Sequence, residues 1–239
     1  MKGICFTEPL FHKVIEGAKT QTRRMITIQP PDNRSWRIGT LMDSTAKEDK
    51  KKIGKNYYLL FENEYTIKES LIKNCFSPKY KVGEKVYLKE PYILYQEEYQ
   101  ESKTSQSGIQ YAYKFGNHLS IEEITGKSDS KWKNKLFMPE SAARYFIEIT
   151  AVRAERLQDI SDEDCMKEGI EVVHRAGHAG ENNPSGLCFD ISQKWDYQYS
   201  CSESAPWKAY AALINKINGK GTWEKNPWVW VYDFELINK

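Results

Sequence analysis

The segment from Gly17 to Arg24 places one amine, two hydroxyls and two guanidinium groups within eight residues. Apolar residues recur at helical spacing over residues 9–16, and a glycine at position 17 suits the end of that helix. Residues 23–28 are typical of a short strand that stops before two prolines. We therefore expect the polar cluster to lie on a turn between a helix and a strand, where functional side chains commonly concentrate.

Lys19 and Thr22 are three residues apart, so on a tight turn the amine can reach the hydroxyl. A lysine acts as a base only when burial or neighbouring cations lower its pKa, and Arg23 or Arg24 would be such a neighbour. Thr22 would then attack a carbonyl carbon or orient an attacking water. These residue types therefore suit the hydrolysis of an amide.

Two carboxylates stand at the ends of predicted elements. Glu90 follows an alternating strand predicted over residues 86–89, and Glu168 ends a helix that Ser161 is expected to cap, with Asp164 completing a pattern like a capping box. The helix macrodipole disfavours a negative charge at the C-terminal end, and a local conflict of this kind can mark a functional residue. Glu168 and Glu90 are therefore both candidate site residues.

The possible roles of these residues leave three interpretations open. In a hydrolase, Glu168 could protonate a leaving amine or hold the exocyclic nitrogen of a base, and Arg24 or Arg144 could stabilise an oxyanion. Glu90 could accept a hydrogen bond from a nucleobase. The same corner could instead bind phosphate, or it could be a structural corner in which Glu90 and Glu168 neutralise its cations.

The remaining pattern predicts a mixed fold rather than a regular alternation of strands and helices. Further strands are expected at residues 1–6, 56–61, 143–157 and 227–237, a hairpin around 110–114, and a helix over 206–217. Three segments, at about 32–79, 92–135 and 171–205, are expected to be insertions, and the last of them a long loop with little regular structure. We therefore expect one domain over residues 1–239, a small mixed barrel with attached helices.

Composition limits the classes of function. The chain has 239 residues, of which 40% are hydrophobic and 28% charged, enough for a core under a charged surface. The net charge of +2 is too small to indicate a nucleic-acid protein by itself. Five scattered cysteines without a CxxC pair, and no apolar leader or spanning segment, predict a soluble cytoplasmic protein that is not bound to a membrane.

Other candidate sites are weaker. His174 and His178 have the spacing of metal ligands on a helix, but they fall in a glycine-rich segment, and Cys188 adds no regular spacing. We therefore expect no metal and no cofactor. Tryptophans at 223, 228 and 230 could stack on bases, but alternation in the last strand assigns about half of that segment to the core.

Taken together, five segments of the chain resemble the ASCH family, a branch of the PUA-like superfamily, in the form found in phages and prophages. They are Gly17-x-Lys19-x-x-Thr22-x-Arg24, Tyr80 to Glu84 with Val86 to Glu90, Met138-Pro139 with Ala143-Arg144, Arg156 to Ser161 through Glu168-Gly169, and Asn218-Gly219 with Trp223 and Asn226 to Val231. The chain departs from the family pattern at Lys89, where arginine is usual, and at Glu140-Ser141, where Arg-Trp is common.

The resemblance implies a PUA-like pseudo-barrel with flanking helices, whose cleft binds RNA, a nucleobase or a nucleoside. Some small bacterial members hydrolyse N4-acetylcytidine with a Lys, a Thr and a Glu that match Lys19, Thr22 and Glu168. In that setting Arg23, Arg24, Glu90 and Arg144 would contact the ligand. A role as an interaction module of phage origin is a further alternative.

Overall fold

The computed structural model describes residues 1–27, 29, 36–40, 58–62, 78–97, 108–116, 120–126, 131–174, 187–190 and 205–237. The class is α+β. The strands are β1 Lys2–Cys5, β2 Gln21–Met25, β3 Trp36–Thr40, β4 Tyr58–Glu62, β5 Lys85–Lys89, β6 Tyr92–Glu97, β7 Gly108–Tyr113, β8 Phe146–Arg156, β9 Glu171–His174, β10 Leu187–Asp190 and β11 Trp228–Ile237. The helices are α1 Glu8–Ile15, α2 Ile121–Thr125, α3 Asp162–Lys167 and α4 Pro206–Asn218.

Five strands form a mixed sheet in the order β1-β5-β8-β11-β2. β1 pairs with β5 in parallel, whereas the β5–β8 and β11–β2 pairs are antiparallel. The pairs β3–β4, β6–β7 and β9–β10 each form a separate two-stranded antiparallel sheet. A parallel pair of strands needs a long crossover connection, and for β1 and β5 this connection is the chain between them.

The chain falls into two compact units. Unit 1 comprises Met1–Ile15, Lys85–Glu148 and Leu236–Lys239. One of its buried clusters contains aromatic side chains, two alanines and a methionine, and the members are Tyr87, Tyr92, Met138, Ala142, Ala143 and Phe146. α1 is amphipathic, and its apolar face, with Phe11 and Val14 almost fully buried, follows from the helical spacing of those residues.

Unit 2 comprises Glu16–Glu84 and Ile149–Glu235. Its core joins α3 and α4 to one face of β11, and the members are Leu157, Ile160, Cys165, Ile170, Ala209, Tyr210, Leu213, Ile214, Val229 and Val231. α4 begins with a proline in its first turn, where the missing N–H costs no hydrogen bond. Ser161 caps α3, since its side chain accepts a hydrogen bond from the Asp164 N–H.

Most of the predicted elements are confirmed, with shifts of one to three residues at their ends. The first helix is α1, the strand at 86–89 is β5, the long strand at 143–157 is β8, and the last helix and strand are α4 and β11. The strand predicted over residues 23–28 was placed two residues too late, since β2 begins at Gln21. The expected loop at 171–205 is also wrong in part, because residues 171–174 pair with 187–190.

Within the residues that the structure describes, no helix is long and apolar enough to cross a membrane.

Candidate functional site

Lys19 lies where the chain enters β2, held between the end of α3 and β11. The Thr20 N–H donates to Lys167 O at 2.9 Å, and the Phe234 N–H donates to Thr20 O at 2.8 Å. These two backbone hydrogen bonds fix the segment on both sides. As a result the Lys19 side chain is directed to the C-terminus of α3, and it is 1% exposed.

Within the described part of the chain, the Lys19 ammonium donates to three oxygen atoms. Nζ is 2.6 Å from Gln21 O, 2.9 Å from Glu168 O and 2.5 Å from the Glu168 carboxylate atom Oε2. An ammonium has three N–H donors, so the three acceptors match the charged form. A cation beside the last carbonyl of a helix is also favourable for the macrodipole. Lys19 thus resolves the conflict that the sequence shows at Glu168.

The two oxygens of Glu168 are in different environments. Oε2 receives the short hydrogen bond from Lys19, whereas Oε1 has two contacts of 3.4 Å, from Arg23 Nη1 and from the Tyr210 hydroxyl. A contact of 3.4 Å is at the weak end of hydrogen bonding. Glu168 is 4% exposed. It is therefore a fixed, buried carboxylate with one strongly and one weakly bonded oxygen.

Arg23 is completely buried and bonded to acidic and amide groups. Its Nη2 donates to Glu155 Oε1 at 2.5 Å and to Asp164 Oδ2 at 2.9 Å, and Nη1 also donates to Gln21 Oε1. Burial lowers the pKa of this guanidinium, but the surrounding carboxylates, Glu168 first, outweigh burial and raise it. Arg23 is permanently charged and holds the neighbouring carboxylates in place.

Arg153 completes what we call the charged cluster. It donates to Asp164 Oδ2 at 2.7 Å, to Asp233 Oδ2 at 2.6 Å and to Glu155 Oε2 at 3.2 Å. The charged cluster consists of three cations, Lys19, Arg23 and Arg153, and four carboxylates, Glu155, Asp164, Glu168 and Asp233. Lys167 lies at the edge of this cluster, 3.9 Å from Asp164, so the charge around it is close to balanced.

The pKa values of the cluster follow from burial and ion pairing. Burial lowers the pKa of Lys19 below 10.5, Glu168 opposes this effect, and the charges of Arg24 and Arg23 add to it. Burial raises the pKa of Asp164, but the hydrogen bonds and charges of Arg23, Gln21 and Arg153 outweigh it, so the net shift is downward. Burial also raises the pKa of Tyr210 well above 10, so its hydroxyl stays protonated.

Thr22 and Arg24 lie on the other face of β2. Gln21 is opposite Asp233 in the register and contacts it at 2.6 Å, whereas Thr22 is opposite Tyr232 and Arg24 is opposite Trp230. Side chains alternate along a strand, so Thr22 and Gln21 point to opposite faces. Thr22 is 4% exposed. Among the described residues, no hydrogen bond joins its hydroxyl to Lys19 or Glu168.

Glu90 and Arg144 form a second site, in unit 1. Arg144 Nε and Nη2 each lie 2.7 Å from one oxygen of Glu90, a bidentate pair, and Nη2 also donates to Phe115 O at 2.9 Å. The guanidinium carbon is 4.4 Å from the Tyr113 ring centre and 5.1 Å from that of Tyr145. Both Glu90 oxygens are therefore already bonded to a residue of the chain.

The structure thus brings Lys19, Arg23 and Glu168 together in unit 2, and pairs Glu90 with Arg144 in unit 1. Sequence analysis missed Tyr210 and four charged members of the network around Glu168, which are Arg153, Glu155, Asp164 and Asp233. Two signals were present: Arg153 and Glu155 are two residues apart on β8, so they share a face, and Tyr210 lies on the apolar stripe of α4. Asp164 was assigned to a capping box, but its carboxylate binds Gln21, Arg23 and Arg153 instead.

The described residues support neither the metal site suggested by the histidines nor the stacking surface suggested by the tryptophans. Across the described parts of the chain, no group of three or more His, Cys, Asp or Glu residues could hold a metal ion. His174 is in β9, whereas His178 lies outside the described residues. Trp223 packs against Trp207 with ring centres 6.2 Å apart and against Tyr210, so it belongs to the packing of α4.

Comparisons of the chain with protein-family models, with curated proteins and with solved structures return no match.

Proposed function

We propose that unit 2 binds a nucleobase or nucleoside, with Glu168 accepting a hydrogen bond from an exocyclic amine of the ligand. The observation that supports this most strongly is the difference between the two oxygens of Glu168. Lys19 fixes Oε2 at 2.5 Å, while Oε1 has only contacts of 3.4 Å. An ionised carboxylate accepts only, so its weakly bonded oxygen selects an N–H or O–H donor.

The charge balance of the cluster favours an uncharged ligand over a phosphate. Three cations face four carboxylates, and the Arg23 side chain is 0% exposed with bonds to Glu155 and Asp164. A phosphate would have to displace these carboxylates from Arg23 and would meet their negative charge. A neutral base would bring no added negative charge to these carboxylates, so RNA would be recognised through a base rather than through its backbone at this site.

The resemblance to the ASCH family supports the same ligand class. It assigns Lys19 and Glu168 to one site, and the structure has them in contact. We also infer a PUA-like pseudo-barrel from this resemblance. The mixed five-stranded sheet with its parallel β1–β5 pair is compatible with that fold.

The experiment that tests this proposal is a calorimetric titration with cytidine and uridine. Cytidine carries an amine where uridine carries a carbonyl oxygen, so of the two only cytidine can donate an exocyclic N–H to Glu168. A hydrogen bond to a charged group contributes about 1.5–3 kcal/mol, so we expect cytidine to bind about tenfold to a hundredfold more tightly. Adenosine, which also carries an exocyclic amine, should bind, whereas inosine should not.

Glu168→Gln should remove this preference, because an amide can either donate or accept. The matched control is Glu163→Gln on the same helix, where the side chain is 78% exposed and pairs with Lys167. Equal affinity for cytidine and uridine in the wild type would contradict the proposed role of Glu168. So would a preference that persists unchanged in Glu168→Gln.

A second candidate function is hydrolysis of an N4-acylated cytidine. The observation that favours it is the lowered pKa of Lys19, because burial and the charges of two arginines shift this amine towards its neutral, basic form. Water would add to the acyl carbon as the C–N bond breaks, which yields a carboxylic acid and cytidine. The three acceptors around Nζ favour the charged form in this structure, so Lys19 must lose a contact before it can act as a base. We therefore rank hydrolysis below binding.

Mass spectrometry of N4-acetylcytidine incubated with the protein tests this second function. Cytidine should form with the wild type and with Lys167→Ala, in which an exposed lysine of α3 is removed, but not with Lys19→Ala. Thr22→Ala tests whether the Thr22 hydroxyl is needed in addition to the Lys19 amine. Product formation that persists in Lys19→Ala would exclude the assigned role, and absence of product in the wild type would leave only the binding function.

A further inference from the structure

We propose that the turn formed by Lys135–Phe137 in unit 1 docks onto an anionic lipid surface, a peripheral contact that departs from the sequence-based expectation of no membrane binding. We call this segment the Leu136–Phe137 turn. Leu136 is 59% and Phe137 is 79% exposed, so two neighbouring apolar side chains project into solvent. This inference does not rest on the function proposed for unit 2, since it concerns other residues and another kind of partner.

The backbone that carries these exposed side chains is held in place by hydrogen bonds. Three consecutive carbonyl oxygens each accept a hydrogen bond from a side chain of a neighbouring strand or its flank. Leu136 O accepts from Lys89 Nζ at 2.8 Å, Phe137 O from the Tyr92 hydroxyl at 3.3 Å, and Met138 O from the Tyr87 hydroxyl at 3.0 Å. The Asn134 side chain also caps the turn through the Leu136 N–H at 2.9 Å. Because the turn is already ordered, docking costs little conformational entropy.

Lysines surround the base of the turn. Lys89 and Lys135 donate to main-chain carbonyls next to it, at Leu136 O and Phe6 O, and Lys133 lies 5.8 Å from the centre of the Tyr92 ring. Lys131 is also exposed. Within the described residues, none of these four lysines forms an ion pair with a carboxylate. Glu140, three residues beyond Phe137, is neutralised by the amino terminus of Met1 at 2.6 Å.

The arrangement of charge and apolar surface favours lipid over nucleic acid. The ammonium groups of Lys89 and Lys135 are hydrogen-bonded to backbone carbonyls, whereas the side chains of Leu136 and Phe137 are 59% and 79% exposed. When exposed apolar side chains enter the boundary of the acyl chains, cations beside the backbone meet the headgroup phosphates. A stacked base would use Phe137 alone, and it would give the neighbouring aliphatic Leu136 no role.

Sedimentation with vesicles tests the proposal on the full chain. Vesicles of phosphatidylcholine containing about 30 mol% phosphatidylserine should bind the protein at low salt, because each lysine near an anionic surface contributes attraction. Binding should fall about tenfold or more on Phe137→Ser, and it should also fall on Lys131→Gln combined with Lys133→Gln. Pure phosphatidylcholine vesicles should bind little.

Two controls make the test specific. Val82→Ser changes another apolar residue that is 54% exposed, and Lys220→Gln removes an exposed lysine of unit 2; both variants should bind vesicles like the wild type. Equal binding to both kinds of vesicle, or binding unaffected by Phe137→Ser, would overturn the proposal. If a fluorescent single-stranded oligonucleotide binds and vesicles do not, and this binding is lost in Phe137→Ser, the proposal is overturned in favour of nucleic acid. Cytidine binding at Glu168 is read out separately, so the two proposals can fail independently.

Discussion

Replacement of Lys19 by methionine should destabilise the protein strongly, because it removes the short ion pair of a buried carboxylate and leaves only the 3.4 Å contact from Arg23. Met keeps most of the volume of the lysine stem but removes the three hydrogen bonds to Gln21 O, Glu168 O and Glu168 Oε2. Removing one partner of a buried ion pair typically costs about 3–5 kcal/mol. Lys19 is 1% exposed and Glu168 is 4% exposed, so this range applies, and we expect a loss of about 4 kcal/mol.

The loss can be measured by urea denaturation and by thermal unfolding. For a chain of 239 residues, each kcal/mol shifts Tm by about 2–4 °C, so Lys19→Met should lower Tm by about 10 °C. The double variant Lys19→Met with Glu168→Gln removes both charges together. It should recover about 2 kcal/mol relative to Lys19→Met, because no uncompensated charge remains buried.

The control is Lys167→Met, which removes a partly exposed lysine at the C-terminal end of α3. Lys167 pairs with Glu163 at 2.7 Å across one turn and lies 3.9 Å from Asp164, and solvent-accessible pairs of this kind contribute little to stability. A change in Lys19→Met as small as that in Lys167→Met would refute the reasoning. Strict additivity of the two substitutions in the double variant would refute it as well, since it would mean that Lys19 and Glu168 do not interact.

Three further changes test other parts of the structure. Arg144→Ala leaves the fully buried Glu90 without its bidentate partner, so the free energy of unfolding measured by urea denaturation should fall by about 3 kcal/mol. This value is the low end of the range for buried pairs, because the Arg144 side chain is 35% exposed. Burial raises the pKa of the Cys165 thiol to about 12. As the pH rises above about 9, the thiol of the unfolded chain therefore ionises before that of the folded protein, and the free energy of unfolding should fall. This fall should be less steep in Cys165→Ala. Gly3→Ala places a Cβ 2.7 Å from the buried Tyr87 ring and should cost about 1–3 kcal/mol in thermal unfolding.

For each of these three predictions, one result would contradict the reasoning. Wild-type stability in Arg144→Ala would show that Glu90 does not depend on the guanidinium. Parallel pH dependence of the wild type and Cys165→Ala would exclude the thiol as a titrating group. An unchanged Tm in Gly3→Ala would mean that the Tyr87 ring moves away without strain.

The local elements were predictable from sequence because short-range signals specify them. Ser161 caps α3, Pro206 opens α4, and the alternation in residues 228–237 marks β11. Glu168 stood out as a negative charge at a helix end, and the structure shows the reason it is tolerated, which is the buried amine of Lys19.

The network around Glu168 could not be predicted because its partners are far apart in sequence. Arg153 and Glu155 share a face of β8, but Asp233 and Arg23 meet them only once β8, β11 and β2 are assembled, and no local pattern carries that information. The placement of Thr22 depended on the first residue of β2. A start at Gln21 instead of residue 23 puts Thr22 inside the strand rather than on a turn, and alternation then directs it away from the face of Arg23.

A crystal structure of the protein with cytidine would test the central claim most directly. We predict that the N4 amine of the base lies within about 3 Å of Glu168 Oε1, while Lys19 remains bonded to Oε2. Cytidine bound elsewhere, or an unchanged Glu168 whose Oε1 keeps only its contacts with Arg23 and Tyr210, would contradict the proposal that this carboxylate recognises the ligand.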